Sequence, residues 1–152
     1  MSIPSTIELS FSERLALLTL RIAAYLADAL LVGMAGAVLY VPFAIARTPS
    51  PGVAIAIAVV AVAIGLAYAI AFEGHRVGAT PGKQMAQIRV VDSLTAGRIG
   101  YRRAAVRAVV RPVSSLFGLG LLWGLFDSRA RTWHDLVSGS VVIREPPGRA
   151  TM

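Results

Sequence analysis

The chain has 152 residues, of which 56% are hydrophobic, and its mean hydropathy is +0.69. This composition is too apolar for an ordinary soluble domain, and the length leaves room for a single domain, residues 1–152, with a few membrane spans. The net charge of +7 does not indicate nucleic-acid binding, because no binding motif accompanies the basic residues, which lie beside apolar segments. The lack of cysteine excludes disulfides, thiolate metal ligands and cysteine nucleophiles.

The first twenty residues are predicted to form an interfacial lead, residues 1–20, rather than a secretory signal. They carry Glu8 and Glu13 and run directly into an apolar segment of spanning length. Ser10 and Glu13 have the spacing of a capping box, which predicts a helix that begins near Phe11. We expect this helix to lie along the membrane interface up to Arg21.

Two apolar segments are predicted to cross the membrane, the first from Ile22 to Ile45 and the second from Val53 to Phe72. As helices, both are about long enough for a hydrocarbon core of roughly 30 Å. Small residues recur along the second segment at helical spacing, which indicates packing within the chain or contact with a second copy. These residues are Ala54, Ala58, Ala61, Gly65 and Ala69.

The polar stretch 73–111 is strongly basic, and Asp92 is its interior acid. By the positive-inside rule it is a cytoplasmic loop of a multi-pass plasma-membrane protein whose amino terminus is also cytoplasmic. Residues 87–92 and 140–143 are rich in β-branched side chains, and turn residues at 95–97 follow the first of these segments. They predict a small antiparallel pair of strands on the cytoplasmic side.

A third apolar segment, Pro112 to Phe126, lies between the two predicted strands. As a helix it is about 22 Å long, shorter than the hydrocarbon core. A full crossing would also place the basic residues beyond it on the outer side, against the charge rule. We therefore predict an all-α membrane protein with two transmembrane helices, a third short or re-entrant helix, a small cytoplasmic two-stranded β element and a tail at 145–152. Three full crossings are the alternative.

Several motifs in order resemble the RDD family of membrane proteins, and the similarity extends from about Leu15 to Arg144. The motifs are Leu20-Arg21-Ile-Ala-Ala-Tyr-Leu-Ala-Asp28, Thr80-Pro-Gly-Lys83 with Ile88-Arg-Val-Val-Asp92, Phe126-Asp-Ser-Arg129, and Thr132-Trp-His-Asp135 with Val141-Val142. The family is named for one arginine and two aspartates, and the resemblance implies that these are Arg21, Asp28 and Asp135. Lys83, Arg111 and Arg129 are candidates for supporting residues of the same ionic lock or ion-coupling site.

Asp28 lies within the first predicted span, where an ionisable side chain costs about 2.5–3.5 kcal/mol. Arg21 is near the same helix face but roughly 10 Å away along the axis, too far for a simple ion pair. Arg21 is therefore expected to mark the cytoplasmic border, and an arginine flanking the third segment is expected to neutralise Asp28. The candidate counter-charges are Arg107, Arg111, and Arg129 together with Arg131.

The remaining polar motifs favour structural roles. Asp135 is expected to cap or orient the neighbouring strand. The segment at 80–83 is not a phosphate-binding loop, because Val77 and Gln84 occupy positions that require glycine and a hydroxyl. We expect a turn there, with Lys83 near the lipid headgroups. The two histidines, His75 and His134, lack ligand spacing, so the sequence predicts no metal site. It shows no catalytic arrangement of serine, histidine and aspartate, and no cofactor is expected.

Two functions remain. The first is a structural or accessory role, in which a membrane-embedded Arg/Asp lock fixes the third segment and the basic loop contacts anionic lipid headgroups, a second copy or a partner membrane protein. The second is a small oligomeric cation/proton transporter that uses Asp28, since some members of the resembled family have been linked to exchange of sodium for protons. An enzyme is not expected.

Overall fold

The structure, a computed structural model, describes residues 8–46, 50–115 and 118–145. Residues 1–7 of the predicted lead, residues 47–49 between the two spans and residues 146–152 of the tail lie outside this description. In chain order, the helices and strands are α1 (Phe11–Ala46), α2 (Pro51–Gly74), α3 (Pro81–Met85), β1 (Ile88–Asp92), α4 (Gly100–Ser115), α5 (Leu119–Phe126), α6 (Trp133–Ser138) and β2 (Ser140–Arg144).

Helix α1 begins at Phe11, where the capping box predicted it. The backbone N–H of Ser10 donates to Glu13 Oε2 at 2.8 Å, and the Glu13 N–H donates to Ser10 Oγ at 3.3 Å. The helix then passes Arg21 without interruption, because no glycine or proline occurs in its first twenty residues. The stretch Phe11–Val38 is long and apolar enough to cross a membrane. The predicted interfacial helix and first span are therefore one continuous helix.

Helix α2 matches the second predicted span and is also long and apolar enough to cross a membrane. It begins with Pro51, whose missing N–H costs nothing in the first helical turn. Its buried residues lie at its carboxyl-terminal end, where it packs against α4. Of the small-residue stripe, Ala69 is buried, whereas Ala54, Ala58 and Ala61 are exposed.

The predicted third segment is divided between two helices. Helix α4 starts at Gly100, well before Pro112, and its axis makes an angle of 104° with that of α5. Gly118, the residue before α5, has a φ of +69°, a conformation that glycine adopts at little cost. The two helices together are a candidate for one broken span or a re-entrant segment, which would make three apolar segments in the described chain.

The two strands pair in antiparallel fashion, as predicted, with Val90 opposite Val142. Gln87, predicted as the first strand residue, has a φ of +53° and precedes β1 instead. Asp92 ends β1 and holds the following turn, because its carboxylate accepts the backbone N–H groups of Leu94 and Thr95 and pairs with Arg103 of α4. Residues 73–111, predicted as a loop, thus contain α3, β1 and most of α4.

The core lies where these polar segments fold onto the first half of α1. Leu17 and Ala24 of α1 pack against Val90 and Val142 of the sheet and against Ala104 of α4. Helix α1 also packs on α3 and α5, and α4 packs on α6. This arrangement brings charged side chains from five helices into one buried region.

Candidate functional site

Asp135 occupies the middle of this buried region and is fully inaccessible to solvent. Its carboxylate caps α6 by accepting the backbone N–H and the hydroxyl of Thr132, each at 2.9 Å. It also forms ion pairs with Arg21 of α1 and Arg107 of α4. Arg107 in turn donates a hydrogen bond to Ser140 Oγ at 2.7 Å. Asp135 therefore connects three helices, and the element that it caps is a helix rather than the predicted strand.

Glu73, near the end of α2, supplies a second fully buried carboxylate. It forms ion pairs with Lys83 of α3 and Arg111 of α4, and Arg107 Nε lies 2.8 Å from its Oε2. Because Arg107 contacts both carboxylates, the charged side chains form one continuous ionic network. The ionic network consists of Arg21, Glu73, Lys83, Arg107, Arg111 and Asp135.

The pairing within the network determines the ionisation of its members. Burial alone would raise the pKa of Asp135, but the guanidinium groups of Arg107 and Arg21 outweigh it and hold that pKa well below its usual value. Burial lowers the pKa of the Lys83 ammonium, and the Glu73 carboxylate opposes this effect. Removing one member of such a network leaves a buried charge without its partner, which is costly.

His134 lies beside the network as a neutral group. Its Nδ1 is 3.0 Å from Ser114 Oγ, and its Nε2 is 3.0 Å from Thr132 Oγ1. Burial lowers the pKa of the imidazole to about 2, and the positive charge of Arg107 acts in the same direction. A ring that stays neutral at physiological pH serves here as a hydrogen-bonding link between α4 and α6.

Asp28 binds a different segment through uncharged donors. The Tyr68 hydroxyl donates to Oδ1 at 2.9 Å, the Gly82 N–H donates to Oδ1 at 2.8 Å, and the Thr80 hydroxyl donates to Oδ2 at 2.5 Å. Thr80 and Gly82 are the cap and second residue of α3, so the carboxylate accepts an N–H that the helix itself leaves unpaired. We call this group, Asp28 with Tyr68, Thr80 and Gly82, the Asp28 anchor.

Gly82 is required by the close approach of α3 to α1. A Cβ at this position would contact the Ala24 carbonyl oxygen and would lie 2.8 Å from the Asp28 carboxyl carbon. Only glycine therefore lets the α3 backbone come close enough for its N–H to reach Asp28. This contact explains why the Thr-Pro-Gly-Lys motif has a glycine at Gly82.

The structure corrects two predictions about these residues. The prediction that an arginine neutralises Asp28 is wrong, because in the described part of the chain the Asp28 carboxylate forms no ion pair, and Arg107 and Arg111 pair with Glu73 and Asp135 instead. The placement of Lys83 near lipid headgroups is also wrong, since its side chain is buried against Glu73.

The other sequence candidates fall in different places. Arg21 is buried and 8% exposed, so it faces the protein interior rather than the water at the membrane border. Arg111 belongs to the ionic network. The backbone N–H of Arg129 donates to Asp127 Oδ1 at 2.9 Å, in a turn where Asp127 also pairs with Arg131.

Sequence reasoning missed Glu73, Tyr68 and Thr80 as members of these sites. Glu73 is the first residue of the polar stretch, and nothing in the local sequence shows that the fold buries it completely. Tyr68 lies in the second span, and its hydroxyl was the available signal that a polar partner lies near. No local pattern links Thr80 to a residue 52 positions earlier.

A family model described as RDD family matches residues 15–139. No curated protein and no solved structure matches the chain.

Proposed function

From the premise that this chain belongs to the RDD family, we propose that it is a membrane protein with a mainly structural role for its arginine and two aspartates. In this proposal they fix the polar segments to the first span, and the assembled protein serves as an accessory or assembly element rather than as an enzyme. The observation that carries the proposal is the division of contacts along α1. Arg21 holds α6 through Asp135, and Asp28 holds α3 through Thr80 and Gly82.

We also propose that α4 and α5 enter the membrane and return to the side from which they came. The pairing of β1 with β2 supports this topology, because the strands precede and follow the two helices and must lie on the same side. On α5, Gly120 and Gly124 are buried whereas Leu122 and Trp123 are exposed, an arrangement suited to contact with lipid. The basic residues favour a cytoplasmic location for that side, at the plasma membrane.

Exposed arginines around the turn between β1 and α4 provide the proposed contact with a partner. Arg98 and Arg102 are exposed, and Tyr101 beside them is 54% exposed. Anionic lipid headgroups or an acidic surface of a second membrane protein would complement this charge. The arginines of the ionic network are already paired, which leaves these surface residues for external contacts.

Cation or proton exchange through Asp28 is the second candidate function. It is favoured by the Asp28 anchor, in which a carboxylate within a candidate span is held by hydrogen-bond donors that carry no charge. Such a carboxylate has no fixed counter-charge to displace when it takes up a proton or a cation. The structural proposal explains the same donors as the contacts that attach α3 to α1.

Reconstitution in vesicles separates the two candidates. Purified wild type, Asp28→Asn and the control Glu8→Gln, which changes an exposed acid outside the candidate spans, would be compared under an imposed sodium or pH gradient, with folding checked by circular dichroism and size-exclusion chromatography. The structural proposal expects no exchange by any variant and a loss of thermal stability in Asp28→Asn. If the wild type exchanges ions and a folded Asp28→Asn protein does not, the structural proposal is wrong and the transport function takes its place.

A further inference from the structure

The ionic network contains more basic groups than carboxylates. Although each of its basic side chains has a carboxylate partner, four of them share only two carboxylates, which leaves an excess of positive charge. The carboxylates are Glu73 and Asp135, and the basic side chains are Arg21, Lys83, Arg107 and Arg111. A buried excess of charge is costly unless a group of opposite charge compensates it.

The other acids do not supply the missing negative charge. Asp92, Asp127 and Glu145 pair with arginines outside the network. Glu13 caps α1, and within the described chain Asp28 accepts hydrogen bonds from uncharged donors and forms no ion pair. These acids therefore leave the positive excess of the network uncompensated.

Arg21 shows the same shortage in its hydrogen bonds. Its Nη1 donates to Asp135, but its buried Nε and Nη2 have no hydrogen-bond acceptor among the residues that the structure describes. Buried donors normally have acceptors, because a donor without one still carries the cost of leaving water. In both charge and hydrogen bonding, the network is thus short of anionic oxygen.

The network is most open to its surroundings at Arg111. This side chain is 21% exposed, whereas those of Lys83 and Arg107 are 9% and 2% exposed. Arg111 Nη2 and Lys83 Nζ both donate to Glu73 Oε1, so two cationic groups lie beside one carboxylate oxygen. Burial lowers the pKa of Lys83 to about 7; the Glu73 carboxylate opposes this effect, and the charges of Arg111 and Arg107 add to it. An anion beside Arg111 would favour the charged form of Lys83.

This open edge lies at the end of a candidate span. Glu73 is the residue before the last of α2, which is long and apolar enough to cross a membrane. The headgroup layer begins where the hydrocarbon core ends, and the phosphate groups of phospholipids lie in that layer. The planar donors of arginine match phosphate oxygens, and basic pockets between membrane helices bind anionic headgroups. Position and donor type therefore favour phosphate as the missing anion.

We propose that the open edge of the ionic network, formed by Arg111 and Lys83, binds a phosphate group, carried by an anionic phospholipid such as phosphatidylglycerol. Arg111 donates hydrogen bonds to the phosphate oxygens, and Lys83 contributes its charge. The phosphate compensates the positive excess at the point where α2, α3 and α4 meet. This inference rests on the membrane location in the proposed function, but it concerns a different place from the exposed Arg98 and Arg102.

Lipid binding by three proteins tests the proposal. Wild type, Arg111→Gln and the control Arg102→Gln, which removes the same charge from an exposed position on α4, would be purified in detergent and freed of lipid. Native mass spectrometry would measure the binding of phosphatidylglycerol, which is anionic, and of phosphatidylcholine, which has a phosphate but no net charge. Arg111→Gln is expected to fold, because Glu73 keeps Lys83 and Arg107 as partners.

The wild type is expected to bind phosphatidylglycerol with roughly ten-fold higher affinity than phosphatidylcholine, because only the anionic lipid offsets the excess charge. Arg111→Gln should lose about ten-fold in affinity for phosphatidylglycerol, and Arg102→Gln about two-fold, since exposed charges are screened. A loss confined to Arg102→Gln would overturn the inference and still support the surface contact of the proposed function.

Thermal unfolding of the lipid-free proteins distinguishes the two sources of phosphate. Inorganic phosphate would be compared with sodium chloride at equal ionic strength. If the wild type binds both lipids equally, but inorganic phosphate stabilises it and not Arg111→Gln, free phosphate is the ligand of the site. A wild type that neither prefers phosphatidylglycerol nor responds to inorganic phosphate overturns the proposal, whatever the variants do.

The melting temperatures also separate binding from a purely structural role of Arg111. The difference between wild type and Arg111→Gln is expected to be small without lipid and to widen when phosphatidylglycerol is added. An equal difference in both conditions would mean that Arg111 only pairs with Glu73, and it would overturn the proposal.

Discussion

Asp28 is a residue of α1, and Asp135 of α6 forms an ion pair with Arg21 of the same helix, yet the groups around the two carboxylates differ. Asp135 is paired with two guanidinium groups, whereas Asp28 accepts two hydroxyl groups and one backbone N–H. A fully buried carboxylate between two arginines is tolerated only while it is ionised and paired. Asp28 needs no arginine, because both of its carboxyl oxygens already accept hydrogen bonds from donors on α2 and the start of α3.

Substitution Asp135→Asn is expected to reduce the free energy of unfolding by about 3–5 kcal/mol at pH 7, because Arg21 and Arg107 lose a buried counter-charge. Because folding lowers the pKa of Asp135, its contribution is present above the unfolded value, about 3.9, and is lost as the pH falls through the folded value. Denaturation in detergent would measure both effects. The difference between wild type and variant should narrow below about pH 4; a constant difference would contradict this assignment.

Substitution Gly82→Ala is expected to destabilise the protein by about 1–3 kcal/mol, since the new Cβ forces α3 away from Ala24 and Asp28. Gly65→Ala is the control, because a Cβ there meets nothing within 4 Å, and alanine favours the helix by about 0.5–1 kcal/mol. Thermal unfolding in the same detergent would compare them. Two variants of equal stability would show that α3 does not dock as described.

At the scale of elements, α4 from Arg107 onward and the whole of α5 reverse the pattern of a soluble amphipathic helix. Helix α4 buries Arg107 and exposes Val109 and Val113, while α5 buries glycines and exposes large side chains. Arg107 of α4 faces Glu73 and Asp135, whose carboxylates neutralise its charge. The outward apolar side suits hydrocarbon rather than water.

Substitution Gly120→Ala is expected to destabilise the junction of α4 and α5, because a Cβ would collide with the Ser114 side chain and carbonyl group. Leu122→Ala, on the exposed side of α5, should change the melting temperature little. Melting of both variants would be followed in lipid nanodiscs. A larger effect for Leu122 would mean that α5 presents the opposite side to the protein.

At the scale of the whole molecule, the contacts hold the start of α1, the sheet and the ionic network together on one side of the spans. The Leu9 N–H donates to the Ser128 carbonyl at 2.9 Å, which joins the chain just before α1 to the turn after α5. Ile143 of β2 lies opposite Arg89 of β1. A third helix that crossed the membrane completely would separate these pairs.

Cysteine labelling tests this arrangement in a chain that has no native cysteine. With a membrane-impermeant maleimide applied to intact cells, Ser50→Cys is expected to react, whereas Glu8→Cys, Leu94→Cys and Ile143→Cys react only after permeabilisation. The first site lies at the tip of the hairpin and the others near the sheet and the start of α1. Reaction of Ile143→Cys from outside would support three full crossings and contradict the re-entrant segment.

The amino-acid sequence by itself determined the elements that depend on local pattern. Hydropathy located two candidate spans, the capping box located the start of α1, and β-branched runs located both strands, because each signal lies within one segment. The motifs also predicted the family, which the match of the family model confirms.

Only the tertiary structure decided which residues these side chains contact. Arg21 and Asp135 are 114 positions apart, and Thr80 and Asp28 are 52 apart, so no local pattern records either contact. The sequence suggested an arginine for Asp28 because a counter-charge is the simplest way to offset burial. In the folded protein the arginines pair with Glu73 and Asp135 instead, and Asp28 accepts hydrogen bonds at the amino terminus of α3. Charge alone could not have distinguished an arginine from uncharged hydrogen-bond donors as the partner of Asp28, because either would compensate the buried carboxylate. Only the packing of the helices decides which donors lie within hydrogen-bonding distance.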